Sequence, residues 1–243
     1  MERLQHCRAC LAPAPYLFLP MGQHPPANMF VRPEEYDADQ PTFSLNTEVC
    51  LNCGLIEIAD QIPADFFRHY LYVPSGAATM HTHFDTLAGV LGDIAEGGLI
   101  VDIGCNDGLL LAACNARGQK TLGIDPAANL AEAAAERGVK VHVAYFEPGT
   151  ADSVREVHGR AQVIVTTNTF NHIGDLHRFM EGVTRLLAED GTFVVEVPWA
   201  KELLDRNEFD TVYQEHVCEF SLLSMQKLGV FFGLDVVDVH RLP

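Results

Sequence analysis

The chain has 243 residues, 48% of them hydrophobic, which suits one large domain or a small one beside a medium one and excludes a disordered chain. Its 16 Lys and Arg stand against 33 Asp and Glu, and the formal charge of −17 repels nucleic-acid backbones and anionic membranes at long range. No basic stretch followed by an apolar one opens the chain, and no later apolar run approaches the roughly 18 residues needed to span a bilayer, so a soluble cytoplasmic protein is expected.

The first stretch, to about Glu57, carries Pro13, Pro15, Pro20, Pro25, Pro26 and Pro33 among short apolar pieces, which rules out long helices there. Such a segment can hold little core of its own. Two CxxC pairs, Cys7/Cys10 and Cys50/Cys53, offer four thiolates for a tetrahedral Zn²⁺ that would replace the missing core. Gly54 allows a tight turn after the last of them. The other three cysteines, Cys105, Cys114 and Cys218, are scattered, and seven is a poor number for a disulfide framework. Buried or redox thiols are the competing reading, but neither pair opens a helix after a strand as a thioredoxin-like motif would.

A linking segment with Phe66, Phe67, Tyr70 and Tyr72 follows as a lid or packing surface, and Met80 to Ile94 has helical periodicity. From Leu99 the pattern becomes regular. Leu99–Ile103 reads as a buried strand, Leu109 to Arg117 as a helix, Thr121–Asp125 as a second strand and Ala127 to Arg137 as a second helix. Strands are expected at Val139 to Val143, Val163 to Thr167 and Thr192 to Val197, with a helix from Leu176 to Leu187 between the last two and another from Leu222 to Phe232. This alternation predicts an α/β fold, a doubly wound parallel sheet covered on both faces. The expected division is a zinc-binding domain over 1–62, a helical linker or lid over 63–96 and a cofactor-binding domain over 97–243.

In such a sheet the ligand sits beyond the carboxyl ends of the strands at the switch point. Asp102-Ile-Gly104-Cys-Asn106-Asp107-Gly108 occupies that place. A dinucleotide fingerprint would carry glycine where Asp102 stands, and an acid there opposes a phosphate, so the spacing favours a cofactor without phosphates. Asp125, ending the second strand, can accept from two ribose hydroxyls. The segment resembles the S-adenosylmethionine loop of class I methyltransferases. Carried over by position, Asp102, Gly104, Asn106 and Gly108 would line the methionine and ribose side and Asp125 would bind the ribose. Phe146 is a candidate adenine wall, and Asn168, ending the fourth strand, a candidate polar contact.

Methyl transfer to carbon needs a base and something to hold an oxyanion. His172 follows the fourth strand, and Tyr213-Gln-Glu215-His216 follows the fifth. Histidine can serve as the base, Glu215 can set its tautomer or act itself, and Tyr213 can donate to an oxyanion. Zinc knot, cofactor loop, His172 and Tyr-x-Glu-His together resemble the sugar C-methyltransferases, which methylate a carbon beside the ketone of a nucleotide-linked keto-deoxysugar. The resemblance spans nearly the whole chain. It implies that His216 removes the α-proton with help from Tyr213 and Glu215, that Tyr213 or His172 steadies the enolate, and that the carbon takes the sulfonium methyl in line. It also implies that the zinc is structural and that the substrate is a nucleotide sugar, with thymidine diphosphate as the expected carrier. Tyr70-Leu-Tyr72 and Pro26-Ala-Asn28 echo weaker family segments, and Tyr72 joins the candidate site residues on that ground.

The last residues, Val236 to Pro243, read as a strand. The resemblance implies a further antiparallel strand beside it and then a C-terminal domain, so its unpaired edge would invite association. Two other readings fit the same residues: a cofactor-binding fragment that acts only with a partner or not at all, and a methyltransferase for a non-sugar substrate.

Overall fold

A computed structural model describes residues 4–242. In chain order its elements are β1 (Tyr16–Leu19), β2 (Gln23–His24), β3 (Phe43–Ser44), β4 (Thr47–Val49), β5 (Ile56–Ile58), α1 (Ala78–Ala95), β6 (Leu99–Ile103), α2 (Leu109–Ala116), β7 (Lys120–Asp125), α3 (Ala128–Glu136), β8 (Val141–Val143), α4 (Pro148–His158), β9 (Ala161–Thr167), α5 (Leu176–Leu186), β10 (Leu187–Glu196), α6 (Ala200–Arg206), β11 (Cys218–Glu219) and α7 (Leu222–Val230). They divide into two compact units. One takes the chain up to Ile62, Asn171–His177 and everything from Val197 onward; the other takes Pro63–Phe170 and Arg178–Glu196.

The second of these is built on a five-stranded sheet in the order β10-β9-β6-β7-β8, every pair parallel. The strand order reverses between β6 and β9, and that is where a doubly wound sheet opens a crevice at its carboxyl edge. Ile100, Val163 and Val165 are fully buried, as parallel strands covered on both faces require. Phe84, Ala88, Leu91 and Ala95 recur on one side of α1 at helical spacing and pack with Leu110, Leu111 and Cys114 of α2. Phe146, Phe170, Phe179 and Phe193 form a second apolar cluster of edge-to-face and tilted rings.

The other unit carries a four-stranded antiparallel sheet, β1-β4-β5-β11, and the two-stranded ladder β2-β3. Its last strand comes from far along the chain: Cys218 lies opposite Glu57 and Glu219 opposite Ile56. The segment of cysteine knuckles is therefore not closed on itself. Arg8, inside the first knuckle and 8% exposed, bonds the carbonyls of Ile58 (2.8 Å), Gly174 (3.1 Å) and Ala59 (3.3 Å) and pairs with buried Glu57 at 3.4 Å. One guanidinium thus ties three stretches of chain together.

The expected strand at Val236 to Pro243 is not formed. Residues 234–242 have no regular structure and 235–242 are exposed, because a valine-rich run makes a strand only where a neighbour supplies a ladder, and none among the described residues does. Pro243 lies outside the described residues. Association through an unpaired edge at that place consequently has no edge to rest on. Among the described residues no helix is long and apolar enough to cross a membrane.

Removing one partner of a buried ion pair leaves the other charge uncompensated. Arg8→Ala is expected to lower stability by about 3–5 kcal/mol in urea denaturation, while Arg8→Met combined with Glu57→Leu should recover most of that loss.

Candidate functional site

The two knuckles are built alike. The Cys7 amide donates to Ala12 O at 2.8 Å and the Leu11 amide to Cys7 O at 3.0 Å, while Cys50 and Gly54 repeat the pattern with Leu55 O (2.9 Å) and Cys50 O (2.8 Å). The residue closing each turn is left-handed, Leu11 at φ 59° and Gly54 at φ 69°; glycine takes that conformation freely and leucine under strain. The four sulfurs lie within 4.8 Å of one another, with Cys7–Cys53 at 3.6 Å and Cys10–Cys50 at 3.5 Å. A tetrahedral Zn²⁺ with bonds of about 2.3 Å would separate its sulfurs by about 3.8 Å, so the donor set fits that ion. Asn52 Nδ2 donates to Cys10 Sγ at 3.3 Å, a contact that orients a ligand sulfur. Without a cation, the neighbouring Cys53 thiol and burial hold Cys7 above the ordinary thiol range, and a divalent ion reverses that balance.

The cofactor candidates gather at the carboxyl ends of β6 and β7. Gly104 sits at φ 77°, and a Cβ there would collide with Thr169, so glycine lets the loops after β6 and β9 meet. Gly108, at φ 74°, lies against Ala134 and Val139 at the start of α2. Asp125 fixes the loop by accepting from the Asn106 amide (2.9 Å) and the Ala127 amide (2.8 Å), and each oxygen retains lone-pair capacity for a ligand hydroxyl. Asp102 is 2% exposed, and its Oδ1 is buried with no hydrogen-bond partner among the described residues. Burial first, and the Asp125 charge second, push its pKa up to about 8. An unsatisfied acid of this kind, beside a glycine turn and a second carboxylate, fits an amino-acid ammonium group and a ribose, which S-adenosylmethionine carries.

Tyr72 meets this loop through its backbone, since Asn106 Nδ2 donates to Tyr72 O at 3.0 Å while the ring is half exposed. Asn129 grips the same segment by bonding both the amide and the carbonyl of Tyr70. Phe146 is partly buried and packs on Phe179, with ring centroids 5.0 Å apart, and against Gly182. Asn168 ends β9 in the left-handed region at φ 49°, its amide bonded to Glu196 O. Thr169 and Asn129 were not among the sequence candidates, because nothing in composition or spacing marks a residue that closes against a distant glycine or carbonyl.

Tyr213, Glu215, His216 and His172 come together in the unit that carries the knuckles. The His216 amide bonds Tyr213 O at 2.9 Å, a tight turn that lays the two rings 4.1 Å apart. His216 Nδ1 lies 2.9 Å from the carbonyl of Thr211, which only accepts, so this nitrogen carries the hydrogen. In the neutral ring Nε2 then accepts, and the Tyr213 hydroxyl sits 2.8 Å from it. The His172 ring is 5.1 Å from that of His216, and burial first, then His216, push its pKa down to about 3, so it stays neutral. Glu215 is buried, and both of its oxygens take Asn28 Nδ2 at 2.9 Å. Arg8 and His177 hold the segment that carries His172, the first through Gly174 O and the second through Ala9 O at 3.1 Å.

A methyltransferase-domain family model matches residues 77–239, and a zinc binding domain model matches residues 7–67. The chain is 36% identical over 98% of its length to the C-methyltransferase NovU of Streptomyces niveus and spans 57% of that relative's length. A SAM-dependent methyltransferase from Archaeoglobus fulgidus superposes with a TM-score of 0.51 at 16% identity, covering 63% of this chain and 68% of that one. A structure of the Haloferax volcanii Trm112 methyltransferase activator with a methyltransferase matches with a TM-score of 0.52 at 18% identity, over 68% and 74% of the two chains. The chain belongs to the methyltransferase-domain family, with a zinc-binding domain ahead of a fold that binds S-adenosylmethionine.

About one zinc per chain is expected by elemental analysis, and Cys50→Ser should cut that content sharply and lower the melting temperature, since metal binding here is folding free energy. Asp102 keeps its proton to about pH 8 when folded and loses it near pH 4 when unfolded, so the folded state binds more protons between those values. Stability without cofactor should therefore fall as pH rises from about 4 to about 8, by up to about 1.4 kcal/mol per pH unit from this group. Urea midpoints for Asp102→Asn should lack that component.

Proposed function

We propose that this member of the methyltransferase-domain family is a C-methyltransferase acting on a carbon beside the ketone of a nucleotide-linked, most simply thymidine-diphosphate-linked, keto-deoxysugar. The observation that carries the reading is the Tyr213–His216 pair, a phenol bonded at 2.8 Å to the accepting nitrogen of a half-buried histidine. Transfer to oxygen or nitrogen needs little beyond alignment, whereas transfer to carbon needs a proton acceptor of this sort. The likeness to the Streptomyces niveus C-methyltransferase supports the carbon; the likeness of Tyr213-x-Glu215-His216 and the zinc knot to the sugar enzymes supports the ketosugar.

The tautomer orders the roles. Nε2 is occupied by the Tyr213 hydroxyl, so the phenol oxygen takes the α-proton as its own proton passes to Nε2, and His216 is the terminal acceptor. The electron pair of the broken C–H bond moves to the ketone oxygen. His172, neutral at working pH, can offer a ring N–H to that oxygen without a charge to desolvate. Glu215, bound by Asn28, fixes the turn that presents both rings. S-adenosylmethionine, when bound, supplies an electrophilic sulfonium methyl to the enolate carbon. Asp102, Gly104, Asn106, Gly108 and Asp125 are the residues that would hold it.

Deuterium washout from the α-carbon of a thymidine-diphosphate-linked ketosugar, without methyl donor, isolates the proton step. His216→Ala and Tyr213→Phe should each slow it by roughly 10²-fold or more. Washout in His216→Ala at the parent rate would refute the base assignment; a slow His216→Ala beside a fast Tyr213→Phe would refute the relay alone.

A further inference from the structure

The motif acid is already engaged, and a different carboxylate faces the base. Glu215 spends both oxygens on Asn28 Nδ2. Glu219, three residues beyond His216, is 2% exposed, and neither of its oxygens has a hydrogen-bond partner among the described residues. Its Oε1 lies 3.5 Å from His216 Nδ1, a charge contact rather than an aligned hydrogen bond, at a ring whose side chain is 12% exposed. The position is rigid, because Glu219 belongs to β11 and stands opposite Ile56 of β5. A buried carboxylate left without donors costs free energy unless a neighbouring group develops positive charge.

We propose that Glu219 is the positioning residue of the reaction, the counter-charge that makes proton uptake by His216 favourable. The inference rests on the reading of His216 as proton acceptor. Before the step, neutral His216 and the Glu219 carboxylate carry one negative charge between them. The α-C–H bond breaks, its electron pair goes to the ketone oxygen, the proton enters the Tyr213–His216 pair, and the resulting imidazolium and carboxylate sum to zero. Thr211 O holds the Nδ1 hydrogen and so the tautomer, while Glu219 supplies the charge. Among the described residues, the titratable groups in contact with the ring are Tyr213 on its own turn, His172 on the 170–172 turn and Glu219 on β11. Of these only Glu219 can bring negative charge at neutral pH. Burial raises its pKa, and the contact with His216 opposes that rise, as a pair sharing charge requires.

The test compares Glu219→Gln, Glu219→Asp and Glu215→Gln in the whole chain, by α-deuterium washout, by kcat and KM for methyl transfer and by the pH profile of washout. Zinc content and S-adenosylmethionine affinity serve as controls on folding. Glu219→Gln should slow washout and kcat on the order of 10²-fold with KM within about threefold. The acid limb of its profile should move to lower pH, since an imidazole without its counter-charge protonates less readily. Washout within threefold of the parent and an unmoved acid limb would overturn the proposal. If Glu219→Gln loses its zinc and does not fold, Glu219→Asp, which keeps the charge, should retain the parent's acid limb and more than a tenth of its washout; an Asp variant with the limb shifted would overturn it instead. Glu215→Gln should leave the limb in place, and a shift there would return the charge role to Glu215. His216→Ala separates the two layers: if it exchanges at the parent rate the base reading fails, whereas a dead His216→Ala beside an active Glu219→Gln removes only this inference.

Discussion

The four-cysteine cluster is the constraint on which one half of this protein depends. The proline-rich segments around it bury few large side chains, and a chain with so little core needs a cross-link or a metal to hold one conformation. Between Cys7 and Cys10 stands Arg8, whose donors reach Ile58, Ala59 and Gly174 and whose charge meets Glu57. On the second knuckle, Ser221 Oγ donates to Cys53 O at 2.9 Å while capping α7 through the Ser224 amide. Metal geometry thus reaches, in one or two bonds, the segments that carry His172 and follow His216. A zinc held by the four cysteines would therefore act on the place of the His172 and His216 segments through the fold, without contact to either ring.

The cofactor half works by a different economy of charge. Asp102, Asp107 and Asp125 are buried at the carboxyl ends of two adjacent parallel strands and the loop after the first, and Arg137 pairs with Asp107 at 3.3 Å. Asp125 is tamed by backbone amides, which leave it able to accept from hydroxyls. Burial raises the pKa of both acids; at Asp125 the two amides oppose the rise, whereas Asp102 has no such donor on Oδ1 and is pushed up to about 8. A site that stores an unsatisfied acid is less stable empty than filled, and it selects a ligand bringing a cationic donor. The same acids disfavour a pyrophosphate, which is the physical reason that a single aspartate in the first glycine position separates two classes of cofactor on one fold.

Much of this was legible along the chain. Buried parallel strands leave continuous apolar runs, and β6, β7 and β9 fall within a residue or two of where those runs end. The cysteine spacing and the glycine-acid loop are local signals, carried by a few adjacent residues. What escaped was non-local. Val236 to Val239 is rich in the β-branched residues of a strand, yet a strand needs a paired neighbour, and among the described residues none pairs there. Pairing of β11 with β5 across most of the sequence left no mark on either segment, each being two or three residues long. Helix α4 begins Pro148-Gly149-Thr150, residues that read as a turn, and only the tertiary setting that buries Ala151 and Val154 makes it a helix.

The two glutamates near His216 show why motif adjacency is a poor guide to contact. Glu215 precedes the histidine by one residue, and in a tight turn neighbours in sequence diverge, so its carboxylate points to Asn28 instead. Glu219 is three residues on, past the turn and into a strand, and the strand brings it back to the ring. One acid is satisfied and acts as a strut. The other is buried, unsatisfied and beside a titratable ring, the condition under which a carboxylate's charge is worth most. Environment, rather than place in the motif, divides the roles between them.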